Sequence, residues 1–260
     1  MMELLGVGVD YPTRSRVLSE ISVTWGAGEI VGIVGLNGSG KSTLLKAMVN
    51  LVPYRGVIRL DGKDLQTLSP QQRARKLGYL PQQVAYSQPF TSAEVVHMAR
   101  FSFSNRWGGG VDGKAIDDCL QRAGALHLRD RVVSQLSGGE AQRIRLAQAL
   151  AQEADWWLLD EPTSALDLHQ QVELEALFVE LREEGKSLLL ALHDLNLARR
   201  LCSKVWLLHQ GRLLSQGSPD EVLLAPDFQR IFQVKMELYY DEVGNSMVSP
   251  RKIDSQSNSC

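Results

Sequence analysis

Cysteine is scarce: the three present, Cys119, Cys202 and Cys260, are odd in number, far apart and without a CxxC pair. That pattern excludes a disulfide framework and points to a reduced, cytosolic setting. An excess of one charge is missing too. Lys and Arg number 28 against 30 Asp and Glu, a formal net charge of -2, so no basic field draws a phosphate backbone and nucleic-acid binding is not expected. No apolar run approaches the roughly 20 residues of a membrane-crossing helix. The first ten residues carry Glu3 and no basic cluster, so no secretory signal is expected there. His97, His127, His169 and His209 lack ligand spacing and suggest no zinc site. Heptads and internal repeats are also lacking.

What is present is the composition of a globular protein, with 44% hydrophobic and 22% charged residues over 260 positions. At roughly 100 to 200 residues per domain, that length fits one large α/β domain or a core with a smaller subdomain. Residues 30–34 read as a buried strand, and a glycine-rich turn leads from them into helical spacing over 41–51. Further strands are predicted at 57–60, 78–80, 156–159, 187–192, 205–209 and 213–216, with helices at 168–184 and 195–202. This alternation predicts a parallel sheet covered on both faces. Between them, helical patterns at 93–101, 115–125 and 139–152, with a glycine-rich loop at 106–110, predict an inserted helical subdomain over about 84–150. The tail reads as a hairpin, 236–240 and 247–248 around 242–245, within a segment 236–250; residues 251–260 are polar and expected to be disordered.

Three short segments carry chemistry. Gly35-Leu36-Asn37-Gly38-Ser39-Gly40-Lys41-Ser42 fits G-x-x-x-x-G-K-[ST] between a predicted strand and a predicted helix. Its glycines let backbone N–H groups form a nest for phosphate oxygens, and the helix start adds partial positive charge. Lys41 is then placed to reach the β- and γ-phosphates and Ser42 to ligate Mg²⁺, with Thr43 following in the nucleotide-binding turn. The run 156–161 ends an apolar strand in Asp160 and Glu161, where Asp160 suits a Mg²⁺ shell and Glu161 the attacking water. Trp156 and Trp157 read as packing. Ser137, Gly138, Gly139 and Glu140, after Leu136, open the helix at 139–152; they make either a helix cap or a second anion-binding start.

Taken together, these motifs resemble the ATP-binding cassette (ABC) ATPases. The order runs Walker A (35–42), glutamine loop (Gln82, with Gln83 as adjacent rival), signature (136–140), Walker B (156–160), Glu161, the D-loop (164–167) and the switch histidine His193, and the likeness covers about 2–235. The resemblance implies an α/β P-loop NTPase, a RecA-like cassette core with the inserted α-helical subdomain and an N-terminal antiparallel β part. It implies ATP and Mg²⁺, with Gln82 contacting the ion and water and His193 the γ-phosphate. Tyr11 falls where the family stacks an aromatic on adenine; the alternative is an edge-strand core residue. A head-to-tail homodimer is implied, in which Ser137 and Gly139 of one copy complete the site at Lys41 and Ser42 of the other. So are two transmembrane permease subunits, an indirectly engaged substrate-binding protein, and a peripheral place on the cytoplasmic face of the inner membrane. Glu140 stands where glutamine is commonest. Within the family, stretches such as 78–82, 91–96, 166–171, 193–198 and 211–222 look most like ATPases of importers for iron-siderophore, haem or vitamin B12, with the iron-siderophore branch nearest. A soluble, non-transport ABC ATPase is the distant alternative.

Overall fold

A computed structural model describes residues 1–12, 14–82, 88–100, 113–240, 242 and 246–252. Two strands open the chain, β1 (Met2–Tyr11) and β2 (Arg14–Trp25), paired antiparallel. Strand β3 (Ile30–Val34) follows, and β4 (Arg55–Leu60) and β5 (Lys63–Asp64) then extend the first pair into a sheet of order β2-β1-β4-β5. This is the expected antiparallel part.

Every residue of β3 is buried, as is every residue of β7 (Trp156–Asp160) and β8 (Ser187–Ala191). Strands with no polar face belong inside a sheet covered on both sides. With β6 (Leu77–Leu80), β9 (Lys204–His209) and β10 (Arg212–Gly217), they form a sheet of order β10-β9-β3-β8-β7-β6, parallel except for the β9–β10 pair. Side chains on a strand alternate between faces, and β3 divides accordingly. Val31 and Ile33 join a core that includes β1 and β2, whereas Ile30 and Val34 join the core beneath the remaining helices. The tryptophans follow the same rule. Trp156 meets Trp25 edge to face at 4.7 Å, and Trp157 on the other face donates its indole N–H to the Ala154 carbonyl at 2.9 Å.

The described helices are α1 (Lys41–Met48), α2 (Pro70–Ala74), α3 (Ser92–Ala99), α4 (Gly113–Arg122), α5 (Gly138–Leu150), α6 (Leu168–Glu183), α7 (Leu195–Leu201), α8 (Pro219–Leu223) and α9 (Pro226–Phe232). Capping boxes begin α2, α3, α5, α6 and α8, each with a Ser, Thr or Asp reciprocally bonded to a Glu or Gln three residues on. Helix α1 is shorter than its pattern predicted, because Asn50 turns left-handed at φ 59°. Gly124, at φ 64°, likewise keeps helix from reaching residue 125. Helices α3, α4 and α5 share the core under β3, so the helical segment is packed onto the sheet. Ion pairs also tie it to α6: Arg122 to Glu180 at 2.7 Å and Arg143 to Glu173 at 2.8 Å. The loop expected at 106–110 lies outside the described residues.

The hairpin is longer than its apolar residues suggested. Strands β11 (Val234–Tyr240) and β12 (Ser246–Lys252) pair to their ends, with Lys235 opposite Arg251 and Val234 opposite Lys252. Arg251 and Lys252, expected to be disordered, are instead strand residues of this hairpin. Arg251 is held by Glu237 at 2.8 Å and lies 5.6 Å over the Tyr239 ring, so its charge is an anchor and not a sign of disorder. Residues 253–260 lie outside the described residues.

Candidate functional site

The parallel strands bring one edge of the sheet together. The loop after β3, Gln82 just past β6, Glu161 just past β7 and His193 just past β8 all leave carboxyl ends of neighbouring strands, the place where open α/β sheets bind ligands. They meet around a cleft of about 400 Å³ lined by Val17, Asn37, Gly38, Ser39, Gly40, Lys41, Ser42, Thr43, Gln82, Glu161 and His193.

Local sterics shape the phosphate loop. A Cβ on Gly35 would stand 2.2 Å from the Leu208 carbonyl oxygen, so no larger residue fits there. Gly40 caps α1 at φ 109°, a conformation that glycine adopts without penalty. Lys41 is 6% exposed, and its ammonium donates to the carbonyls of Gly35 at 2.8 Å and Leu36 at 3.3 Å. Burial lowers its pKa, opposed by the charges of Glu161 and Asp160. Gly35 and Leu36 thus serve through their carbonyls and do not line the cleft, and Leu36 is 39% exposed.

Asp160 ends the fully buried β7 and is 2% exposed. Burial raises its pKa, and the neighbouring Ser42 hydroxyl works in the other direction. Its Oδ1 is buried with no hydrogen-bond partner among the described residues, and so is Ser39 Oγ. A desolvated carboxylate with an orphaned oxygen beside a hydroxyl fits a hard divalent cation. No group of three or more His, Cys, Asp or Glu side chains among the described residues could by itself hold a metal ion, so a cation here would draw much of its shell from phosphate and water, as Mg²⁺ does.

Glu161 leaves the strand in a left-handed conformation, φ 52°, at a cost of about 1–2 kcal/mol for a residue with a side chain. The turn aims its carboxylate into the cleft mouth. Gln82 Nε2 donates to Oε2 at 2.6 Å, and His193 Nε2 lies 2.6 Å from Oε1. Gln82 makes this contact; its adjacent rival Gln83 lies outside the described residues.

Other expected site residues lie elsewhere. Tyr11 is half-buried, packs against the core that includes β1 and β2, and is not on the cleft wall; Val17 of β2 is, with no motif to announce it. Ser137, Gly138, Gly139 and Glu140 form the cap and first turn of α5 and do not line the cleft. Ser137 and Glu140 close a capping box at 2.8 Å and 3.3 Å, and the bond from the Ser137 amide lowers the Glu140 pKa. A Cβ on Gly139 would approach Gln170 Oε1 to 2.8 Å and the Ala165 carbonyl to 3.4 Å, so glycine lets the D-loop pack against this helix start. Sequence reasoning also missed Gln142 and Arg145, whose bonds reach Pro162 and Gln82. They lie mid-helix, in no recognised motif.

The family model for ABC transporter matches residues 18–164. The cobalamin import ATP-binding protein BtuD of Halobacterium salinarum is 35% identical over 242 residues, which cover 92% of this chain and 61% of that protein. The chain therefore spans about three fifths of that relative's length. The hemin import ATP-binding protein HmuV of Pseudomonas entomophila is 39% identical over 245 residues, covering 91% of this chain and 95% of that protein. Among solved structures, a dimeric ATP-binding cassette in a post-hydrolysis state, bound to ADP and Pi, superposes with a TM-score of 0.78 at 28% identity, covering 84% of this chain and 99% of that one. An inward-facing ABC transporter described as metal-chelate type shares the fold, with a TM-score of 0.81 at 23% identity over 96% of this chain and 97% of that one.

Proposed function

The chain belongs to the ABC transporter family, and from that premise we propose that it is the ATP-binding and ATP-hydrolysing subunit of an importer. The observation that carries the reading is the Glu161 carboxylate, held at 2.6 Å by both Gln82 and His193 over the phosphate loop. Backbone N–H groups of 38–43 cradle the ATP phosphates, and Lys41 exchanges the Gly35 and Leu36 carbonyls for phosphate oxygens. Ser42, Asp160 and Gln82 are the residues that would hold Mg²⁺, which when bound neutralises charge developing on the phosphate oxygens. Glu161 orients the water and accepts its proton, and His193 positions the γ-phosphate. The water oxygen bonds to the γ-phosphorus as the bond to the ADP oxygen breaks, giving ADP and phosphate.

Ser137 to Glu140 do not line the cleft of their own chain, and the reading places them on the ATP of a second copy in a head-to-tail homodimer. No helix among the described residues is long and apolar enough to cross a membrane. The reading gives the transmembrane path to two permease subunits, with this chain at the cytoplasmic face of the inner membrane and a substrate-binding protein supplying cargo. We place the permease contact at the second cleft, about 770 Å³, between α1, α2 and α3, where Leu51 is 63% and Met98 42% exposed.

For the cargo, the named relatives support haem or cobalamin, and the iron-siderophore expected from the sequence belongs to the same class of large metal chelates. The test is a pull-down with tagged Glu161→Gln protein and Mg-ATP from solubilised native membranes, followed by uptake of labelled hemin, cobalamin and ferric siderophore by the complex. Recovery of a polytopic permease is the expected result. Ribosomal or DNA-repair proteins in its place would overturn the importer reading.

A further inference from the structure

Ser137 caps helix α5, yet two later residues of that helix reach the hydrolytic centre of the same chain. Arg145 Nη1 donates to the Gln82 carbonyl at 3.0 Å, and its Nη2 donates to Gln142 Oε1. Gln142 is 3% exposed and passes the connection on, its Nε2 donating to the Pro162 carbonyl at 2.7 Å. Gln82 in turn donates its side-chain amide to Glu161, the residue before Pro162. Glu161 is thus gripped from two directions, at its carboxylate through Gln82 and at its backbone neighbour through Gln142, and both grips end on α5.

We propose that Arg145, braced by Gln142, is a positioning residue for ATP hydrolysis, fixing Gln82 and thereby Glu161 to the helix whose first turn carries Ser137. A planar guanidinium suits this, since its nitrogens are held at a fixed separation and satisfy two acceptors from one side chain. Arg145 lies eight residues from Ser137, roughly 12 Å along the helix axis at 1.5 Å per residue. A helix of this length moves as a unit, so a tilt of α5 set at Ser137 by a partner's nucleotide is delivered to Gln82 and Glu161 of its own chain. The two ATP sites of the dimer are then linked through α5. This rests on the hydrolytic reading above and adds a residue that makes no contact with nucleotide.

The experiment is steady-state ATP hydrolysis by the full chain as Arg145→Met and Arg145→Lys, with fluorescent-ATP binding and thermal unfolding measured alongside. Misplacing a catalytic group by a fraction of a bond length lowers turnover without touching ground-state binding, so kcat of Arg145→Met should fall roughly ten- to hundredfold while KM and nucleotide Kd stay within about twofold. Arg145→Lys keeps one donor and the charge and should recover part of the loss. A kcat for Arg145→Met within about twofold of wild type, or a loss of nucleotide binding in step with kcat, would overturn the proposal. Failure of the wild-type chain to hydrolyse ATP would overturn the hydrolytic reading and the proposal with it, which separates the two failures.

Discussion

Glu161→Gln is the perturbation that bears most directly on the hydrolytic centre. The carboxylate accepts from Gln82 on one oxygen and meets His193 on the other, each at 2.6 Å. A carboxamide of the same shape keeps both neighbours if its oxygen faces the Gln82 amide and its NH₂ faces a His193 nitrogen acting as acceptor in the neutral ring. The left-handed backbone at φ 52° is unchanged, since glutamine meets the same sterics as glutamate. Fold and phosphate loop should survive, and the proton acceptor alone is lost. A positioned general base contributes about 10²- to 10⁴-fold, so the activation barrier should rise by roughly 3–5 kcal/mol. The assay is phosphate release under single-turnover and steady-state conditions, with ATP affinity from a fluorescent analogue and association from light scattering. The variant should bind ATP with near wild-type affinity, accumulate as a dimer and release phosphate at least about a hundredfold more slowly. Ordinary steady-state hydrolysis in Glu161→Gln would refute the role derived for this carboxylate.

Further outcomes are expected of other residues. Lys41→Ala removes a charge-assisted donor worth about 1.5–3 kcal/mol and should weaken ATP binding about ten- to a hundredfold in a titration. Ser137→Arg should abolish ATP-dependent dimerisation in light scattering while leaving nucleotide binding to the monomer intact, because Ser137 does not line the cleft of its own chain. Gly35→Ala should cost about 1–3 kcal/mol in urea unfolding, since its Cβ would stand 2.2 Å from a backbone oxygen that cannot rotate away. Burial raises the Asp160 pKa, so the native state holds this proton more tightly than the unfolded chain does. The nucleotide-free protein therefore loses stability from this group as pH rises from about 4 through the folded pKa. Asp160→Asn should lessen that loss in unfolding experiments across the window and abolish Mg²⁺-dependent hydrolysis; an unchanged pH profile would contradict the burial argument.

The aspects of the site that could be read in advance are those carried by contiguous residues. The phosphate loop depends on glycines at fixed offsets and a lysine at the helix start, so residues 35–43 announce it locally. The start of α5 was legible for the same reason, since the Ser137 cap lies directly before its helix, whereas α2 and α8, which also begin with capping boxes, were not expected. The hairpin end differs from expectation because the polar run from Arg251 suggests disorder, whereas Arg251 is paired across the ladder and held by Glu237.

By itself the sequence determined a buried α/β chain with a phosphate nest, two carboxylates at the end of an apolar strand and a second glycine-rich helix start, because each follows from local backbone freedom and side-chain periodicity. Only the tertiary structure decided that Gln82, Glu161 and His193, separated by 79 and 32 positions, meet at one carboxylate. It also decided that Arg145 and Gln142 donate to the Gln82 and Pro162 carbonyls beside that meeting, and that the Ser137 helix start does not line the cleft of its own chain. The physical reason is strand order. Pairing β6, β7 and β8 side by side and parallel places their carboxyl ends at one edge of the sheet, and that pairing is set by long-range burial and hydrogen bonding that no short segment encodes.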